Sequence, residues 1–155
     1  SQAMDITDPD LSAFRARGGK LILRENLSDK GNAGQTGFDY YDAVVAKFGK
    51  AAVDDFFLAY GAAGLQHTTS RVEPGSANAP SYGTAGEIDL LGMIDDWVVK
   101  GAKPGDAPTL TLRSLLSPFN LLASRPMCKY GSYAKYVGAT PAGGNQASNY
   151  TCVPM

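Results

Sequence analysis

The stretch from Lys20 to Tyr60, KLILRENLSDKGNAGQTGFDYYDAVVAKFGKAAVDDFFLAY, opens and closes on apolar runs and carries a helical pattern between them. KLIL, residues 20–23, is bounded by Gly19 and by the polar RENLSDKGNAGQTG. That length and those boundaries predict a short strand buried on both faces. Phe38, Tyr41, Val44, Val45 and Phe48 recur at helical spacing with Gly49 as a stop, which predicts a helix over 37–48 with one apolar face. AVDDFFLAY, residues 52–60, returns to strand character. Two strands joined through a helix of about three turns form a β-α-β unit, and the crossover requires the strands to run parallel. The expected fold class is therefore α/β, a small parallel sheet flanked by helices.

Upstream, TDPDLSAFRARGG reads as a short helix with Asp8 as N-cap, Pro9 at the first helical position, Leu11 and Phe14 on one face, and Gly18 closing it. Downstream, AGEIDLLGMIDDWVVKG places Leu90, Leu91, Ile94, Trp97 and Val98 at helical periodicity and predicts a helix over 86–100 that stops at Gly101. The last fifty or so residues offer one strand, TLTLRS at 109–114, then the apolar patch LLSPFNLL, then a tail rich in Gly, Asn and Tyr. Residues 1–155 are expected to form a single domain with an irregular tail over 102–155, a size that buries roughly two thirds of the unfolded surface.

Fourteen Lys and Arg stand against fifteen Asp and Glu, a formal net charge of −1, and no basic stripe is interleaved with aromatics. Nucleic acid is thereby set aside as a partner. No run approaches the ~20 apolar residues of a membrane span, and the opening SQAMDITDPD has neither a basic region nor a hydrophobic segment. Cys128 and Cys152 have no neighbouring cluster of His, Asp or Glu to complete a metal site, so a disulfide fits better than zinc, with two reduced thiols as the alternative. No cofactor and no metal are expected.

In open parallel sheets, chemistry gathers outside the carboxyl ends of the strands. Asp29 follows the first strand and His67, the only histidine, follows the second. A catalytic imidazole needs a carboxylate on one ring nitrogen, to fix its tautomer and stabilise its cation, while the other nitrogen takes a proton from a nucleophile. Asp before His, each after a strand, is also the order in which an α/β-hydrolase closes. Asp54 and Asp55 form a carboxylate pair, but they open a strand and are expected to face solvent rather than serve as an acid and base.

DPDLSAFRARGGKLIL, DYYDAVV, AAVDDFFLAY, GLQH, IDDWVVKG, SRPMCKY and NYTC together resemble the C-terminal part of tannase and feruloyl esterase family proteins. The resemblance covers most of the chain and is most specific in DPDLSAFRARGGKLIL. It implies an exported serine esterase acting on aromatic-acid esters, with the triad acid at Asp29, the base at His67, and Cys128 paired with Cys152. Three departures accompany it. No G-x-S-x-G is present, and Ser76 in PGSANAP lacks the second glycine and the strand-turn-helix setting. Thr68 stands where the family has a cysteine after the histidine, and RENLSDKGNAGQ replaces the family's His-Gly turn before the acid.

The expectation that follows is a tannase/feruloyl esterase-like hydrolase portion, active on small aromatic esters only with a serine from elsewhere and nearly inert alone. The alternative is a non-catalytic structural or interaction module. A sheet of two or three strands leaves apolar edges uncovered, so a homo-oligomer or a complementing N-terminal hydrolase portion is expected as partner. The family resemblance and the two cysteines point to the periplasm or to secretion.

Overall fold

Two parallel strands organise the chain, β1 (Leu21–Asn26) and β2 (Phe57–Ala62), in register from Leu21 opposite Phe57 to Asn26 opposite Ala62. The structure is a computed structural model and describes residues 7–31, 34–67 and 84–155. Ahead of β1 lies the short helix α1 (Ser12–Ala16). It begins later than the Asp8–Pro9 signal predicts because Asp8 and Asp10 spend their carboxylates on local turns, accepting from the Asp10 and Ser12 amides.

The crossover is α2 (Thr36–Phe48), which ends where expected: the Gly49 N–H donates to Val45 O at 2.8 Å. Its Phe38, Tyr41 and Val44 are buried against Phe57 and Ala59 on one face of the sheet. The expected strand over 52–60 is corrected. Lys50–Asp54 form a one-turn helix, α3, and β2 starts only at Phe57. Val53 anchors that turn in the same core, and a Lys50–Asp54 ion pair spans it. Successive β2 side chains alternate between faces, so Leu58, Tyr60 and Ala62 enter a second core cluster on the other side.

That second face is covered by α4 (Leu90–Lys100). Asp89 caps α4 by accepting from the Gly92 amide at 2.8 Å, so the helix is shorter than the 86–100 predicted. Leu90, Ile94 and Trp97 pack inward, whereas Leu91 and Val98, read as part of the same face, are exposed, as is Val99.

The tail is not irregular. β3 (Thr109–Arg113) and β4 (Leu121–Pro126) form an antiparallel hairpin that buries Leu110 and Ala123 against the α4 cluster. Leu115, Leu116, Phe119 and Leu121 are exposed at its tip. β5 (Cys128–Lys129) pairs antiparallel with β2, which makes the central sheet mixed rather than purely parallel, in the order β1-β2-β5. β6 (Ser132–Tyr136) and β7 (Tyr150–Pro154) form a second hairpin, fastened to β5 by the Cys128–Cys152 disulfide. None of these strands is long or strongly apolar. Their order comes from pairing between distant segments, which local periodicity does not register.

β1 makes contact with both core clusters, yet all six of its residues are half-buried rather than buried. It lies at the edge of the sheet and pairs only with β2 among the described residues. No helix among the described residues is long and apolar enough to cross a membrane.

Candidate functional site

Parallel register brings the carboxyl ends of β1 and β2 to one rim, and the pairing continues past both strands. Leu27 N–H donates to Ala62 O at 3.1 Å and Ser28 N–H to Leu65 O at 3.0 Å. The two segments that leave the sheet are therefore zipped together for a further turn before they part. Asp29 closes a turn on β1, its amide donating to Asn26 O at 3.0 Å. Gly64, at φ 77°, makes the bend after β2 that precedes His67.

The outcome is a direct contact: Asp29 Oδ2 lies 2.8 Å from His67 Nδ1. The other carboxylate oxygen, Oδ1, accepts the Gly31 amide at 2.7 Å. Gly31 is a close-approach glycine, since a Cβ there would sit 3.3 Å from Asp29 Oδ1 and 3.5 Å from His67 Nδ1. The turn chemistry around the acid, missing as a motif in RENLSDKGNAGQ, is supplied by the aspartate itself through these backbone amides. Asp29 has 9% of its side chain exposed and His67 63%. The carboxylate is thus sheltered, and the imidazole faces outward.

A carboxylate on Nδ1 holds the proton there and leaves the Nε2 lone pair free to accept another. An imidazole held this way can serve as general base and then general acid. Ser76 and Thr68 lie outside the described residues. Asp54 and Asp55 stand at the opposite, amino end of β2. Asp54 is tied to Lys50 and Lys129, the latter at 3.2 Å, and the Asp55 carbonyl accepts from Lys20 Nζ at 2.7 Å. They take no part in the rim. Among the described residues no group of three or more His, Cys, Asp or Glu side chains is gathered as a metal site.

Three residues around the pair are not legible from KLIL, whose polar boundary at Arg24 predicts the strand's end, whereas β1 runs on through Arg24, Glu25 and Asn26. Strand alternation sends Arg24 and Asn26 to the α4 face and Glu25 to the α2 face. Glu25 accepts from the Gly37 amide in the first turn of α2. Burial pushes its carboxyl up, the Gly37 amide pulls it down, and the Asp29 charge adds a further upward push. Polar residues continuing a strand's alternation beyond KLIL are the signal that was available.

A small mixed sheet flanked by helices, with a carboxylate–imidazole pair on its rim, fits an α/β-hydrolase-like fold. The family model described as tannase and feruloyl esterase matches residues 1–153, and the chain belongs to that family. A probable feruloyl esterase of Arthroderma benhamiae is 29% identical, over 94% of this chain and 25% of its own length. The mono(2-hydroxyethyl) terephthalate hydrolase of Piscinibacter sakaiensis is 30% identical, over 94% of this chain and 22% of its own. The crystal structure of feruloyl esterase B from Aspergillus oryzae superposes with a TM-score of 0.71 at 25% identity, over 94% of this chain and 29% of that one. The chain thus spans about a quarter of the length of the proteins it matches.

Proposed function

We propose that this chain is the acid–base portion of a serine carboxylic ester hydrolase that acts on aromatic esters. Asp29 orients His67 and balances its positive charge. His67 removes the proton from a serine hydroxyl as that oxygen attacks the ester carbonyl, then returns a proton to the departing alcohol. Water then attacks the acyl carbonyl as the same imidazole takes its proton, the serine–acyl bond breaks, and His67 passes that proton to the serine oxygen as the acid leaves. The serine comes from a complementing N-terminal hydrolase portion, whose docking also covers the free edge of β1 and the apolar tip of the β3–β4 hairpin. Alone, the chain associates with itself through those surfaces and turns over little ester. The disulfide suits an oxidising compartment, so the setting is periplasmic or secreted.

The observation that supports this reading is the 2.8 Å contact between Asp29 Oδ2 and His67 Nδ1, with the far edge of the ring open. The test uses the longest natural reading frame that carries this sequence and a chromogenic aryl ester. His67→Ala is expected to lower kcat by about 10⁶-fold and Asp29→Asn by about 10⁴-fold. Equal turnover in the unmodified protein and both variants would refute the assignment and leave the structural-module reading in its place.

A further inference from the structure

We propose that Asn26, set by Arg24, is the positioning residue that holds the acid and the base in contact, an inference that rests on the acid–base reading above. Asn26 touches the segments that carry both halves of the pair. Its backbone carbonyl accepts the Asp29 amide at 3.0 Å, and its side-chain Nδ2 donates to Gln66 O, the carbonyl directly before His67, at 2.8 Å. One residue at the end of one strand therefore fixes the peptide that presents the carboxylate and the peptide that presents the imidazole.

Arg24 decides which way the Asn26 carboxamide faces. Its Nε–H donates to Asn26 Oδ1 at 3.0 Å and its Nη1–H to Gly86 O at 3.0 Å. A guanidinium has only donors, so the carboxamide atom facing it must be oxygen and the atom facing Gln66 O must be the NH₂. The flip state of Asn26 is thus determined by chemistry, and with it the donor that the histidine segment requires. Arg24 also reaches the chain at Gly86, next to the Glu87–Thr111 bridge that joins this segment to β3. The guanidinium is half-buried, and that burial draws its pKa down, yet an arginine at neutral pH stays charged. Its two charged N–H groups are spent on neutral acceptors whose positions they set.

Loss of this clamp should release the imidazole before it unfolds the domain, because β1 and β2 remain joined through their ladder and through the Leu27 and Ser28 amides. His67 is the only histidine, so its ring nitrogens give unambiguous signals in long-range ¹H–¹⁵N NMR of the intact chain. In the unmodified protein the neutral ring is expected as the Nδ1–H tautomer, with a low-field Nδ1 proton. In Asn26→Ala the ratio of Nδ1–H to Nε2–H should fall by about tenfold or more, the bias that a hydrogen bond to a carboxylate sustains. Arg24→Lys, which keeps charge and stem but loses the fork, should give a smaller fall in the same direction.

Asp29→Asn separates the two claims. Loss of the Nδ1–H tautomer in Asp29→Asn and in folded Asn26→Ala supports the positioning role. Loss in Asp29→Asn with retention in Asn26→Ala overturns that role and leaves the acid–base pair standing, and a lowered Tm with an unmoved tautomer makes Asn26 a purely structural contact. Retention in Asp29→Asn overturns the pair itself. Should Asn26→Ala fail to fold, Arg24→Lys is read in its place, and an unchanged tautomer there overturns the inference.

Discussion

Replacing Tyr60 by Phe should make the protein less stable at neutral pH and more stable in alkali, with a crossing between. Tyr60 lies in β2, fully buried, and its hydroxyl donates to Gly105 O at 2.8 Å. Losing one such bond costs about 1 kcal/mol at pH 7. Burial, followed by the charges of Asp106 and Asp54, pushes this phenol up from 10.0 to about 12. Its pKa is raised on folding, so its contribution is complete below pH 10 and is lost as pH climbs through 10 toward about 12, where the unfolded chain ionises first. By linkage the loss is about 1.4 kcal/mol at pH 11 and about 2.3 kcal/mol at pH 12. The phenylalanine variant has no such loss, so the two stabilities meet near pH 11, and the variant leads by about 1 kcal/mol at pH 12. Urea unfolding at each pH, followed through the single, buried Trp97, measures the difference. Tyr40, Tyr41 and Tyr130 are also raised by burial, but they are common to both proteins and cancel. A gap that stays constant from pH 7 to pH 12 would show that the Tyr60 phenol is not desolvated in the folded state.

Gly37→Ala should destabilise chiefly through Glu25, because the new Cβ would collide with Glu25 Oε1 and expel the carboxylate from the start of α2, whereas Leu23 Cδ2, at 3.1 Å, need give by only a few tenths of an ångström. The lost cap is worth about 1 kcal/mol, and in a Glu25→Ala background the same change should become neutral or stabilising by up to about 1 kcal/mol; additive effects in this double-mutant cycle would refute the contact. Removing the disulfide, as Cys128→Ala with Cys152→Ala, frees a loop of 24 residues and should cost about 3–4 kcal/mol in urea unfolding. The loss should fall first on β6 and β7 in hydrogen exchange, with the Asp29–His67 rim protected for longer; simultaneous loss at both places would contradict the separation of the hairpin from the central sheet.

Several features were legible along the chain for a physical reason that is local. α2 could be read from Phe38, Tyr41, Val44 and Phe48 because a helix displays its buried face at fixed spacing, and the Gly49 stop acts on its own last turn. The order acid, helix, base could be read because a parallel crossover leaves the ends of both strands at one rim. Other features were misread because neighbours in space decide them. In AVDDFFLAY the apolar residues flank Asp54 and Asp55, yet Val53 is buried from a helical turn and Phe57 from a strand, and apolar character alone cannot separate the two. Leu91 and Val98 follow helical periodicity but remain exposed, since it is Leu90, Ile94 and Trp97 that α4 packs into the core cluster.

The site divides in the same way. Sequence order and residue type alone determined that an aspartate and the lone histidine each follow a strand of one β-α-β unit, because the hand and direction of that unit are set by backbone chirality. Only the tertiary structure decided that the two meet. Their separation of 38 residues closes through the in-register ladder of β1 and β2, through amides that continue the pairing beyond it, and through an asparagine whose amide faces the histidine segment because an arginine holds its oxygen. Apart from the Arg24–Asn26 contact, these bonds join groups far apart in the chain, and long-range partners leave no periodic trace in the residues that make them.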